Sequence, residues 1–161
     1  MHDPDAMIEG NFRGDGRRFG VVAARFNGTL VDQLLAGAVD CFERHGASAE
    51  GVEVVRVPGA WEIPVALEWL AASGRFHALV ALGLVLRGDT PHFDYICGEC
   101  SRGTARVMER YGIPVAFGVL TCDTVEQAAA RAGGKAGNKG WEAALAALEM
   151  ADLRARLTAA D

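Results

Sequence analysis

Residues Ala78–Leu86 (ALVALGLVL) form a nine-residue stretch without a single polar side chain. A run of this length with no polar alternation reads as a strand covered on both faces. Such a strand belongs inside a parallel sheet with helices above and below it. The character then changes within a few residues, to Arg87-Gly88-Asp89-Thr90-Pro91-His92. A helical pattern starts from Asp94, and Tyr95–Tyr111 reads as the helix proper. A buried strand that feeds a polar loop and then a helix marks the place where open α/β sheets hold ligands, at the carboxyl ends of their strands.

The remaining chain repeats this alternation. Phe19–Ala24 reads as a short buried strand ending in Arg25-Phe26-Asn27-Gly28-Thr29, where Asn27 or Thr29 is the candidate N-cap of a helix over Leu30–His45. Val52–Val57 reads as a second strand, broken by Pro58-Gly59-Ala60. Trp61–Ala72 follows as a helix with Pro64 in its first turn. Ile113–Leu120 reads as the fourth strand, and Val125–Arg131 as a short helix. The Gly-rich turn over residues 132–140 precedes a long Ala/Leu helix over Trp141–Leu157. Strand and helix alternate four times. That pattern predicts parallel strands joined by right-handed crossovers, with helices on both faces. Residues 1–16 are polar and read as a loose N-terminal arm, and residues 17–158 as one domain.

The totals narrow the function. With a net charge of −5, pI near 5.4 and no basic cluster, the chain is not expected to bind nucleic acid. The apolar run at residues 78–86 is too short to span a bilayer. MHDPDAMIEG lacks the basic and apolar segments of a signal peptide, so a cytoplasmic setting with reduced cysteines is expected. Cys97 and Cys100 form a C-x-x-C, but Cys41 and Cys122 do not supply a second pair at zinc-site spacing. His45 and His77 read as ordinary solvated or core histidines.

Topology alone brings the outgoing turns of four parallel strands to one rim. That rim holds two aromatic rings (Phe26, Trp61), a carboxylate (Glu62), an imidazole (His92) and the backbone amides of the Gly88–Thr90 turn. Aromatic faces suit a flat heterocycle. Loop amides ahead of a helix suit an anion. Histidine exchanges protons near neutrality.

Four blocks, PGAWEIP, LGLVLRGDTPHFDYI, VAFGVLT and RAGGKAGNKG, occur in that order and spacing. Together they resemble the lumazine synthase family of riboflavin biosynthesis (6,7-dimethyl-8-ribityllumazine synthase) over Arg18–Leu153. The resemblance implies a flavodoxin-like three-layer α/β/α sandwich with a four-stranded parallel sheet. It implies a transferase that condenses 5-amino-6-(D-ribitylamino)uracil with 3,4-dihydroxy-2-butanone 4-phosphate, without metal or cofactor. The products would be the lumazine, phosphate and two waters.

The resemblance also implies roles. Phe26 would stack on the uracil ring. Ala60, Trp61 and Glu62 would hold the ring edge and ribityl chain. Leu84, Val85 and Leu86 would line the site through backbone groups, and Asp89 and Thr90 would meet the phosphate. His92 would shuttle protons. Phe117 would reach into a neighbouring subunit's site, Arg131 would clamp the phosphate, and Lys139 would assist. Two residues depart from the family pattern: Trp61 stands where Phe is more usual, and Asp89 where a small or neutral residue is. The family assembles as homopentamers, some of them packed into sixty-subunit icosahedral shells. The arm would then add a strand to a neighbour's sheet.

Blander readings stand beside these. Phe26 and Trp61 would otherwise cap the core, Glu62 would be a first-turn charge favoured by the helix dipole, and Phe117 plain core. Arg131 would be a solvated helix-end cation. Two other activities fit the fold: an archaeal-type riboflavin synthase, and a flavin-binding flavodoxin-like carrier. Against the carrier, the loop after the first strand is poor in hydroxyls. Against the riboflavin synthase stands the phosphate-clamping arginine.

Overall fold

The computed structural model describes residues 4–159. Four parallel strands, β1 (Phe19–Ala24), β2 (Val52–Val57), β3 (Ala78–Leu86) and β4 (Val115–Cys122), form one sheet in the order β2-β1-β3-β4. Helices α1 (Gly28–Arg44), α2 (Ile63–Ala72), α3 (His92–Tyr111), α4 (Val125–Arg131) and α5 (Lys139–Thr158) join and flank it. This is the flavodoxin-like sandwich.

The reading of β3 as buried on both sides holds residue by residue. Ala78, Val80, Leu82 and Leu84 face one core, with Leu34 and Phe42 of α1 and Ala144 and Leu148 of α5. Leu79 and Ala81 face the other, with Ile63 and Leu67 of α2 and Cys100 and Val107 of α3. The period of two in the backbone sends alternate side chains to opposite layers. Both layers are apolar, so the sequence shows no alternation.

Several boundaries differ from the sequence reading. Helix α1 spans Gly28–Arg44, and α2 is preceded by a 3-10 turn at Ala60–Glu62. Strand β4 begins at Val115 because Pro114 has no N–H to give the ladder; its carbonyl still accepts from the Leu79 N–H at 2.9 Å. The strand runs on through Thr121 and Cys122, which pair with Val85 and Leu86. Helix α3 starts at His92, three residues early, and the Asp94 N–H bonds the Pro91 carbonyl at 3.0 Å. Inside the Gly-rich turn a small hairpin forms, β5 (Ala132–Gly134) against β6 (Gly137–Asn138).

The described part of the arm is tied down. Asp152 of α5, only 6% exposed, gathers three donors. They are the Asn11 N–H at 2.9 Å, Arg17 Nη2 at 2.9 Å and Arg156 Nε at 2.6 Å. The Gly14 N–H bonds the His45 carbonyl, and Phe12 sits beside the His45 ring. His77, exposed on the surface, accepts the Arg18 N–H at its Nδ1. The bonds from the Asn11 N–H, Arg156 and Arg17 hold the Asp152 carboxyl at a pKa of about 2, against an ordinary value of 3.8.

Two outcomes follow. Asp152 favours the folded state fully above its ordinary pKa, and that share is lost as pH falls from there through about 2. Thermal melts between pH 5 and 2 are expected to show a steeper acid loss for the wild type than for Asp152→Asn. The second concerns helix packing. A Cβ on Gly140 would overlap the Leu34 carbonyl of α1. Gly140→Ala is therefore expected to cost about 1–3 kcal/mol by overpacking, read by urea denaturation.

Candidate active site

The strand order makes a crevice. From β1 the chain moves outward to β2, then returns past β1 to β3. The turns after β1 and β3 therefore diverge, and the space between them is the topological switch point. A cavity of about 500 Å³ lies there.

Each strand exit contributes to it. After β1, the Arg25 N–H bonds the Val57 carbonyl and the Phe26 N–H bonds the Pro58 carbonyl, at 2.8 and 2.9 Å. These bonds carry the β1–β2 pairing past the end of the strand, so Phe26 stands at the rim with its residue 72% exposed. After β2, Gly59, Ala60 and Trp61 line the same cavity, Trp61 56% exposed. Glu62 accepts the Gly59 N–H at 3.0 Å through Oε2, which pins the turn. Glu62 lies just outside, in a smaller recess that shares Trp61.

From β3 come Leu84, Val85 and Leu86, then Arg87 and Gly88, with His92 and Ile96 of α3 closing the side. His92 is exposed and sits on the first residue of α3 rather than in a loop. Asp89 and Thr90 are exposed on the turn before it, outside the cavity wall. Of the residues singled out in the sequence, the structure places Phe26, Ala60, Trp61, Leu84–Leu86 and His92 along one cavity.

Phe117 and Arg131 line a different one. This recess, about 550 Å³, follows β4 at the sheet edge and is walled by α4 and α5. Phe117 is 44% exposed within it. Arg131 bonds its own helix, Nη1 to the Gln127 carbonyl at 2.9 Å, and makes no ion pair among the described residues. Lys139 lies beside it and pairs with Glu142 at 3.1 Å. The α5 start that carries Lys139 is fixed by Asn138, whose side-chain oxygen accepts from the Gly140 and Trp141 N–H groups. Within one chain the ring-lined crevice and the cationic recess are therefore separate.

The sequence analysis gives Arg87 no role. Its backbone N–H continues the ladder to Cys122 at 2.9 Å. Its Nε donates to Asp123 Oδ1 at 2.7 Å, and its guanidinium lies 4.3 Å from the centre of the Phe93 ring. Phe93 is buried next to His92. Arg87 thus clasps the β3 exit to the β4 exit and to the first turn of α3. The cysteines show no such organisation. Burial pushes the Cys100 thiol up to about 12 and Cys97 upward as well, the reverse of an activated thiolate. Among the described residues no group of three or more His, Cys, Asp or Glu could hold a metal, and no helix is long and apolar enough to cross a membrane.

Fold and cavity define a flavodoxin-like α/β/α protein with a crevice at its switch point. Residues 16–155 match the family model for 6,7-dimethyl-8-ribityllumazine synthase, and the chain belongs to that family. The 6,7-dimethyl-8-ribityllumazine synthases of Desulfatibacillum aliphaticivorans and of Aquifex aeolicus (strain VF5) are each 55% identical to it over 147 residues. That alignment covers 91% of this chain and 95% and 96% of those two proteins.

The Arg87 clasp has a measurable consequence. Arg87→Lys keeps the charge but not the planar contact with Phe93 or the directed bond to Asp123. It is expected to lower kcat about 3- to 10-fold while shifting the melting temperature by no more than a few degrees. Steady-state kinetics beside a thermal melt checks this.

Proposed function

We propose that this chain catalyses the condensation of 5-amino-6-(D-ribitylamino)uracil with 3,4-dihydroxy-2-butanone 4-phosphate. The products are 6,7-dimethyl-8-ribityllumazine, phosphate and two waters. Family membership across residues 16–155 supports this. The observation that carries it at the level of residues is the meeting of Phe26, the Leu84–Leu86 backbone and His92 around one crevice.

In this reading the uracil ring lies against Phe26, whose exposed face offers a π-surface at little cost in ordering. Backbone groups of Leu84–Leu86 read the ring edge. Ala60, Trp61 and Glu62 hold the ribityl chain. One Glu62 oxygen is engaged by Gly59, and the other is free to accept from a hydroxyl. Asp89 and Thr90 meet the phosphate through backbone amides, with the Thr90 hydroxyl adding a donor. The Asp89 carboxylate turns away from the anion.

The ring amine attacks the ketone carbon, and loss of water gives an imine. Phosphate then leaves by elimination with the C3 hydrogen of the butanone, and the enol so formed tautomerises to a new carbonyl at C3. The second amine adds to this new carbonyl, and loss of the second water closes the ring. His92, exposed at the crevice side, takes and returns the protons that these steps move. Much of the acceleration comes from holding the two substrates side by side, which removes the entropy cost of their encounter.

The phosphate clamp comes from a second copy of the chain. Arg131 and Lys139 sit in the recess at the β4 edge, apart from the crevice of their own chain. Phe117 is exposed at the same edge. Trp61, in the turn before α2, and Val65 and Trp69 on α2 leave an exposed apolar stripe away from that recess. Two unlike faces that meet head to tail generate a ring when the rotation between copies closes. A pentamer with sites between neighbours, in the cytoplasm, is the assembly that the family resemblance implies. The short Gly133–Gly140 turn supports further packing of pentamers into a sixty-subunit shell.

The test is the purified chain with both substrates, following lumazine absorbance. Turnover is expected, with His92→Ala slower by about 10²-fold in kcat. Arg131→Ala is expected to raise KM for the phosphorylated substrate about 10- to 100-fold, the worth of a charged hydrogen bond. Phosphate release without lumazine overturns the reading, and a fully active monomer overturns the shared site.

A further inference from the structure

The residue at the hinge of the crevice is Asn27. It is the one non-glycine residue among those described with a positive φ, at φ 59° and ψ 39°. Asparagine tolerates this left-handed region better than most residues, though at some cost. Asn27 occupies the N-cap position of α1, yet its side chain caps nothing. Instead its Nδ2 crosses the switch point and donates to the Leu84 carbonyl at 2.9 Å, 57 residues away. The left-handed turn is what frees the amide from α1 and aims it at β3.

Both ends of this bond belong to the cavity wall. Phe26 precedes Asn27 directly, and Leu84 begins the Leu84–Leu86 edge. Two strands whose exits diverge are here joined by one side chain. The geometry points to Asn27 as a positioning residue that sets the spacing between the Phe26 ring and the Leu84–Leu86 backbone, and so the fit of a flat heterocycle. This rests on the ring-binding reading given under Proposed function. Asn27 works through Phe26 and the Leu84 carbonyl rather than on the reacting atoms. It also occupies that carbonyl, leaving the later backbone groups of the edge to the ligand.

Backbone and bond are separable by substitution. Asn27→Gly keeps the left-handed turn without strain and removes only the bond. Asn27→Asp keeps the shape but sets a carboxylate oxygen against the Leu84 carbonyl. Asn27→Gly is expected to raise KM for the ribitylaminouracil about 3- to 10-fold, the range of one net hydrogen bond. KM for the butanone phosphate should stay within twofold and the melting temperature within a few degrees. Asn27→Asp should exceed Asn27→Gly in the same KM, and both should weaken binding of the lumazine product in a fluorescence titration. If Asn27→Gly matches the wild type in that KM and in product binding, the side chain does not set the crevice. Parallel rises in both KM values would overturn the assignment too, as would a fall in melting temperature that accounts for the loss. An inactive wild type would instead refute the reading beneath it.

Discussion

Everything in this molecule hangs on β3 being hydrogen-bonded on both edges and covered on both faces. A strand so placed has no freedom of register, because a slip by one residue would exchange its two side-chain sets between unlike layers. Its carboxyl end is therefore fixed in space, and Leu84–Gly88 with it. The crevice needs only one further feature, that β1 lead away from β3 and not toward it. The order β2-β1-β3-β4 supplies that.

On this fixed edge the site is built from contacts that each join two elements. Backbone bonds from Arg25 and Phe26 fasten the β1 exit to the β2 exit. Asn27 fastens β1 to β3, and Arg87 fastens β3 to β4 and α3. None of these groups needs to touch a substrate to matter. They replace the mobility of loops with the stiffness of the sheet, which is what placing two reactants side by side requires. The cationic recess is organised separately, by α4, α5 and the Asn138 cap.

The strands were legible in the sequence because burial on two faces writes an unbroken apolar run, as at 78–86 and 19–24. The rim residues were legible because topology alone gathers strand exits. The start of α3 was not. The apolar period begins at Tyr95, whereas the helix begins at His92, directly after Pro91 at its N-cap, a choice local pattern does not record. The end of β4 was missed because Thr121 and Cys122 look like a turn, and only pairing with Val85 and Leu86 makes them strand. Asn27 was legible as a cap by position, but its bond is to a strand 57 residues on. The division of the lining residues between two cavities depends on where β4 lies relative to β3, which side-chain chemistry does not encode.

The knot at Asp152 bears on how the chain comes together. Its partners Asn11 and Arg17 lie 141 and 135 residues earlier. Loop closure over such distances is entropically costly until the intervening layers have formed. During synthesis, residues 10–17 leave the ribosome long before α5 exists to receive them. The segment made among the first is thus among the last to dock, and its docking marks a chain whose sheet and final helix are already in place.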